Sequence, residues 1–359
     1  MDAVERVLTA INHEEPDRVP AFESAFTNNT IVEHYGFKPS AFGYKESYKF
    51  FQKVGLDLVL SYVALFPKKF LGQKGFVDEY GRIMKIEPFK DGTEIMAYHG
   101  GYFQSFEDYE SWEQPDPNLP ARVSQFLAGR KVQEKMNNEV FSIPASGSLM
   151  ECTWEGFGIE TFSRIMSRPK KAQRVFDDRG KFTLELVKIL AEKDAKMVLL
   201  WDDYGFKNGL FMSPRNYRKF VFPWLKQICD AAHKRDCKIM LHSDGDLIEI
   251  FEDIVNCGVD VLNPIESTTA NPEYDIFKLN EKYGDKITFS GNLSPILLAI
   301  GEISEIEVQA KRLIREMAPG GGYIFGSGHS INPSISVERF DAMYDIKRKF
   351  GNYPINIPD

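Results

Sequence analysis

Ile287-Thr-Phe-Ser-Gly-Asn-Leu-Ser-Pro295 and Tyr323-Ile-Phe-Gly-Ser-Gly-His-Ser-Ile331 are the two stretches on which the fold of this chain turns. Each is a short apolar run that stops at glycine and then presents polar groups, Asn292 and Ser294 in the first, Ser327 and His329 in the second. Glycine lets a backbone turn sharply or approach a ligand closely. A strand that hands Asn, Ser or His to such a turn suits a barrel of parallel strands, where chemistry gathers at the C-terminal strand ends.

The pattern recurs upstream. Lys196–Trp201 runs into Asp202-Asp203-Tyr204-Gly205, Cys237–Leu241 into His242-Ser243-Asp244-Gly245, and Val259–Asn263 into Pro264-Ile265-Glu266. Arg18–Ser24, Leu56–Ser61 and Val140–Ala145 read as the first three strands. Apolar runs of this length suit parallel strands covered on both faces. Helical patterns lie between them: Lys170–Lys193, Pro214–Lys234 with Ser213 as N-cap, Leu247–Asn256, a helix from Asn271-Pro272 to Tyr283, and Glu305–Met317. With the amphipathic N-terminal helix Ala3–Ile11, this predicts an α/β fold, a (β/α)8 TIM barrel forming a single domain over residues 1–359. A doubly wound open sheet is the competing topology, and no glycine-rich dinucleotide loop supports it.

Residues 63–139 separate strands two and three by more than one crossover helix requires. Arg82–Glu87 and Glu94–Tyr98 flank Lys90-Asp91-Gly92, which predicts a β-hairpin with an Asp-Gly turn. We expect this insertion to lie over the barrel mouth and to shape access to it.

The formal net charge of -8 argues against a chain-wide basic surface, so no nucleic-acid partner is expected. No apolar run reaches the roughly 18 residues of a membrane helix, and Met1–Leu8 lacks the apolar core of a secretion signal. A cytoplasmic location is expected. The four cysteines, Cys152, Cys229, Cys237 and Cys257, form no Cys-x-x-Cys pair and read as free thiols, with Cys152 in a loop.

The strand ends carry the candidate site. Asp202 and Asp203 end strand four; adjacent strand residues face opposite ways, so one of them looks into the mouth. A carboxylate there can act as a general base, a metal ligand or an acceptor for a substrate hydroxyl, and its plain alternative is helix capping. His242 ends strand five with Asp244 two residues on, a spacing that lets an imidazole and a carboxylate share one cation. A third ligand must come from another strand, and His329, Glu266, Asp203 and Cys152 are the available types. The zinc set we expect is His242, Asp244 and His329. The plain alternatives are a hydrogen-bonded structural imidazole for His242 and a cap on the following helix for Asp244. Glu266, Asn292, Glu151, Tyr204 and Trp154 are the expected substrate-binding residues, with Trp201, Phe157 and Phe206 as further aromatic wall. Gly320-Gly-Gly322 enters a strand without a Walker lysine and is rejected as a phosphate loop.

Together these segments resemble the uroporphyrinogen decarboxylase superfamily. The similar stretches are Arg6–Ile11 with Glu15–Pro20, Trp201–Gly205, Leu241–Gly245, Ser290–Pro295 and Tyr323–His329, in the family's order along nearly the whole chain. The resemblance implies a (β/α)8 barrel with its site at the C-terminal mouth. It also implies one of two chemistries. Decarboxylases of this superfamily bind a tetrapyrrole rich in carboxylates through an Arg-Gln-Ala-Gly-Arg type of motif. Here the matching stretch is Ala21–Asn28, which has no arginine and carries Glu23. The other branch moves methyl groups to or from corrinoids. Its zinc-using members carry His-x-Cys after strand five and a further Cys after strand eight, whereas this chain has Asp244 and Ser327 at those positions. The resemblance that remains is to substrate-side methyltransferases of anaerobic bacteria, O-demethylase components that pass a methyl group from a small donor to Co(I) on a separate corrinoid protein. It implies corrinoid (cobalamin) on a partner protein, zinc as a further cofactor, a small methylated substrate such as a methoxylated aromatic, and a homodimer as in many relatives. On this reading His242, Asp203 and His329 surround the leaving oxygen. The rivals are a decarboxylase or lyase of a small acid, for which Lys68, Lys69 and Arg164 are the loose cationic candidates, and a non-catalytic corrinoid or tetrapyrrole binder.

Overall fold

The structure is a computed structural model and describes residues 1–39, 44–89 and 92–358. β1 (Leu58–Tyr62) leads into β2 (Pro67–Phe70), β3 (Gly75–Asp78), β4 (Arg82–Pro88) and β5 (Glu94–Gly101). β6 (Phe141–Gly147), β7 (Met197–Trp201), β8 (Gly205–Phe206) and β9 (Gly209–Leu210) follow. β10 (Lys238–His242), β11 (Val261–Asn263), β12 (Thr288–Ser290) and β13 (Tyr323–Ile324) come last. A seven-stranded parallel sheet runs β1-β6-β7-β10-β11-β12-β13.

The sheet curls into a barrel, and residues 20–22 fill its eighth position. Phe22 N–H donates to the Phe325 carbonyl at 2.9 Å, Phe325 N–H to the Pro20 carbonyl at 2.8 Å, and Asp57 N–H to the Ala21 carbonyl at 2.8 Å. The predicted first strand is therefore reduced to isolated bridges such as Ala21–Phe325. The cause is local: Pro20 has no N–H to give a ladder, and the Ala21 N–H is taken by Asp57 Oδ2 at 2.8 Å.

Alternation along each strand sorts the side chains. Leu58, Phe141, Ile143, Met197, Leu199, Met240, Val261 and Ile324 form an interior cluster, joined by Ala3, Val7 and Ile11. The helix Ala3–Ile11, capped by Asp2, thus plugs the N-terminal end of the barrel with its apolar face. The intervening residues Val198, Leu200, Ile239, Leu241 and Leu262 pack outward in the larger cluster.

Between β1 and β6 stands a four-stranded antiparallel sheet, β2-β3-β4-β5. The predicted hairpin is β4 with β5, paired from Arg82 opposite Gly101 to Pro88 opposite Glu94 with a one-residue register shift between Ile83 and Met84. Lys90 and Asp91 of its expected turn lie outside the described residues.

Several boundaries differ from expectation. The segment after Ser213 breaks into Pro214–Asn216, a π-helical turn Tyr217–Val221 and the helix Phe222–His233, and Ser213 makes no side-chain cap. The helix after β11 starts at Ile276 rather than at Asn271, because Asp275 accepts from the N–H groups of Phe277 and Lys278. Asp246, not Asp244, holds the turn before the helix Phe251–Cys257, accepting from Ile248 N–H at 3.0 Å. Cys152 lies buried in the helix Glu151–Met166 rather than in a loop, and all four cysteines are free thiols. Among the described residues no helix is long and apolar enough to cross a membrane.

Candidate active site

The inward alternation of β10 ends on His242, which lies opposite Trp201 of β7 on one side and Asn263 of β11 on the other. His242 is 8% exposed, its ring edge-on to Trp201 with 4.4 Å between ring centres. Its Nδ1 lies 2.8 Å from Asn263 Oδ1. The Asn263 amide is oriented in turn, since its Nδ2 donates to the Ser290 carbonyl and hydroxyl, each at 3.2 Å. Oδ1 is therefore the acceptor, and Nδ1 of His242 carries the hydrogen. This leaves Nε2 with its lone pair for a proton or a ligand.

The two aspartates after β7 part company. Asp202 is fully buried, and its Oδ1 accepts from Met150 N–H at 2.6 Å and Glu151 N–H at 3.0 Å, so it caps the helix Glu151–Met166. Burial raises its carboxyl to about 6, against the pull of those N–H groups. Asp203 turns the other way. Its Oδ1 accepts from Asp244 N–H at 2.8 Å, and Asp203, His242 and Asp244 each bring a ligand atom within 4.8 Å of the others. The three ligand atoms that lie together are thus those of Asp203, His242 and Asp244, whereas the expected set was His242, Asp244 and His329. His329 stands outside it, half exposed, with Nε2 3.7 Å from Asp244 Oδ2 and Nδ1 at 2.9 Å from Ser330 Oγ.

Carboxylates dominate this rim. Burial, and next the charge of Asp244, pushes the Asp203 carboxyl well above the ordinary range. Burial, then the charges of Asp203 and Glu155, does the same to Glu151. Such a carboxyl holds its proton to higher pH than an ordinary one and can donate it. Glu266 braces the loop instead, accepting from Gly245 N–H at 2.7 Å and from the Thr268 hydroxyl. Gly245 has φ +94, and a Cβ there would lie 2.3 Å from the Gly205 carbonyl carbon, so this crossing of the two loops requires glycine.

A cavity of about 300 Å³ is lined by Tyr62, Arg82, Gln125, Ser146, Glu151 and Trp201 among others, and of these Trp201 touches His242 and Glu151 approaches the Asp203 N–H. Arg82 reaches it from β4 and is tied to Asp78 at 2.7 Å and Glu155 at 3.1 Å. Trp154 stacks on Phe211 at 4.8 Å and meets Tyr98 of β5 edge-on at 5.6 Å. Tyr204 does not line the mouth: it is 0% exposed and packs against Tyr217 and Phe222. Phe157 is likewise core. Asn292 is 3% exposed and lines a separate cavity beside the loop after β11. Lys68, Lys69 and Arg164 are engaged with Glu113, Tyr102 and Glu160.

Sequence reasoning missed Arg82 and Asn263. Asn263 carried a signal, a polar residue on the last inward position of its strand. Arg82 carried none, because its approach depends on how the inserted sheet packs.

A ring of parallel strands with an imidazole and raised carboxyls at its C-terminal rim defines a (β/α)8-barrel protein with its candidate centre at the mouth. The chain belongs to the uroporphyrinogen decarboxylase family: residues 89–350 match the family described as Uroporphyrinogen decarboxylase (URO-D). It is 26% identical over 215 residues to the uroporphyrinogen decarboxylase of Coxiella burnetii (strain Dugway 5J108-111), covering 56% of each chain. It is 23% identical over 258 residues to that of Pseudoalteromonas atlantica, covering 68% of this chain and 69% of the other. The match thus spans little more than half the length of the Coxiella relative. Among solved structures, a methyltransferase from Methanosarcina mazei superposes with a TM-score of 0.71 at 19% identity, covering 98% of this chain and 99% of that one. That likeness shows the fold.

Proposed function

We propose that this chain is a methyltransferase that takes a methyl group from a small donor, best a methoxylated aromatic, and passes it to Co(I) of a corrinoid held by a partner protein. The observation that carries the reading is the rim trio. A phenolate leaves poorly unless its oxygen receives a proton or meets a cation. In the transfer the methyl carbon–oxygen bond would break with its electron pair staying on oxygen, and the Co(I) of the partner's corrinoid would supply the pair for the new bond to the methyl carbon, becoming Co(III). The raised Asp203 carboxyl supplies the proton at that oxygen. His242, locked by Asn263, holds Nε2 toward the same place, and His329 supports Asp244 from the far side. The aromatic residues Trp201 and Trp154 hold the ring, and the inserted sheet closes over the mouth through Arg82 and Tyr98.

Asp203, His242 and Asp244 also fit a divalent cation such as zinc: one imidazole nitrogen, two carboxylates and no thiolate. Such an ion supplies Lewis acidity at the ether oxygen when bound. The absence of thiolates argues against activation of a thiol substrate.

The relatives carry the name uroporphyrinogen decarboxylase, which favours a second reading, a decarboxylase, here of a small acid. Against it, Arg82 is the one lysine or arginine lining the cavity among the described residues, and it is committed to Asp78 and Glu155. Incubation with Co(I) cobalamin and a panel of methoxylated aromatics separates the readings. Methylcobalamin formation, followed by absorbance, is the expected result. Carbon dioxide release from small acids with no methyl transfer to cobalamin would overturn it. Metal analysis of the purified protein tests the zinc.

A further inference from the structure

A second polar cavity, of about 400 Å³, lies under the loop after β11 and is lined by Ser267, Thr269, Asn271, Tyr274, Asp275 and Asn292, among others. Two of these side chains are nearly fully buried and lack a hydrogen-bond partner: the Tyr274 hydroxyl and Asn292 Oδ1, each on a residue 3% exposed. Buried polar atoms are seldom left unpaired, because leaving water without a replacement bond is costly.

Several of the carboxylate oxygens around them are already drawn to other donors. Asp246 is already engaged, Oδ2 by the Asn271 amide at 2.9 Å and Oδ1 by Ile248 N–H. Both oxygens of Glu266 are taken by Gly245 and Thr268. Asp275 Oδ1 holds the first turn of its helix.

The two atoms are also of complementary type. Asn292 Oδ1 can only accept, whereas the phenol can donate. Burial, and next the charges of Asp246, Asp244 and Glu266, holds the Tyr274 hydroxyl protonated, and those carboxylates repel an anion. A ligand group satisfying all three conditions is uncharged and carries both a donor and an acceptor.

We infer that the cavity between the loop Ser267–Asp275 and Asn292 is a second subsite, built for a neutral carboxamide and set against a carboxylate. The inference rests on the function proposed above only for the source of that group. A corrin ring is fringed with carboxamides, and a methyl donor can carry one of its own.

The test uses matched pairs on the full chain. Cobinamide is titrated by absorbance against cobyrinic acid, whose fringe is carboxylate. Methoxybenzamide is compared with methoxybenzoate by calorimetric titration. One pair should show the amide bound tighter by about tenfold or more, the scale of one or two buried hydrogen bonds. That preference should collapse in Tyr274→Phe and in Asn292→Ala, and the pair that shows it names the source. Tyr274→Phe keeps shape and packing, so it decides the matter where Asn292→Ala fails to fold. No preference in either pair, or one that survives Tyr274→Phe, overturns the inference. Neither titration needs turnover, so an absence of methyl transfer overturns only the function proposed above.

Discussion

The barrel carries a charge cluster at each end, and the two are built on opposite plans. At the N-terminal end Asp57 is fully buried and saturated. It accepts from Arg6 at 2.8 Å, from Arg18 at 2.8 and 3.0 Å and from Ala21 N–H, with Lys347 3.7 Å away. Arg6 is shared with Asp17. Two carboxylates thus answer three basic side chains, and the network ties the plug helix to the strand-like segment that closes the ring. At the C-terminal end Asp203, Asp244, Glu151 and Glu155 crowd Arg82 and the imidazoles of His242 and His329, and Asp244 Oδ1 has no partner. Like charges gathered in a buried place oppose folding, so a rim of this kind reads as a site for a proton or cation rather than as a brace.

Two substitutions would break the contrast if it were false. His242→Ala should lower methyl transfer by roughly 10²–10⁴-fold. Its effect on stability should be modest, about 1–3 kcal/mol, since Asn263 Oδ1 loses its donor. Activity assays and urea melts on one preparation check both. Asp57→Ala should do the reverse. It strands buried cations and should cost about 3–5 kcal/mol, while protein that remains folded keeps its turnover. Equal loss of turnover in the two variants would erase the distinction between brace and site.

Glu23 sharpens the contrast, because it is a brace placed on the rim side. Its buried carboxyl accepts from Tyr344 at 2.6 Å, from Ser327 N–H and from the Ser327 hydroxyl, clipping the first segment to the last strand and the final helix. Burial raises it from 4.5 to about 7, against the pull of those donors. The folded state therefore holds a proton that the unfolded chain has already released between those values. Its contribution is complete below about pH 4.5 and is lost as pH rises through about 7. Relative to Glu23→Gln, the wild type should lose about 3 kcal/mol of stability across that window. Denaturant melts of both proteins at several pH values measure it, and a difference that is flat with pH would mean the carboxyl is ionised throughout.

Much of this could be read from residues alone. Alternation along Met197–Trp201 and Lys238–His242 places Trp201 and His242 inward, and carrying it one step further puts Asp203 inside and Asp202 outside. The trio at 203, 242 and 244 follows from two strand ends that are neighbours in the sheet. What stayed hidden depends on packing between distant segments. Arg82 comes from an inserted sheet whose pose is set by contacts such as Gly101 against Gly158. Tyr204 sits in a motif that looks like a site, yet its ring serves the core. Asn271 reads as a helix start beside Pro272, but its amide is drawn to Asp246 and the helix waits for Asp275. That displacement leaves Ser267–Asp275 free to line a cavity.

The smallest effect expected tests how the rim is held rather than what it does. Asn263 touches no proposed reacting atom; it fixes the tautomer and the plane of His242. Asn263→Leu keeps the volume and removes the acceptor, so the imidazole can rotate and its hydrogen can move to Nε2. Losses from removing such a supporting partner run to about 10–100-fold. The loss should fall on kcat rather than KM, since donor binding by the aromatic wall is untouched. Asn263→Asp restores an acceptor at the same atom and should recover most of the rate, although it forfeits the donation to Ser290. A merely structural residue would not show this: Leu and Asp would then both lower the melting midpoint with unchanged kcat, and the orientation argument for His242 would fail with them.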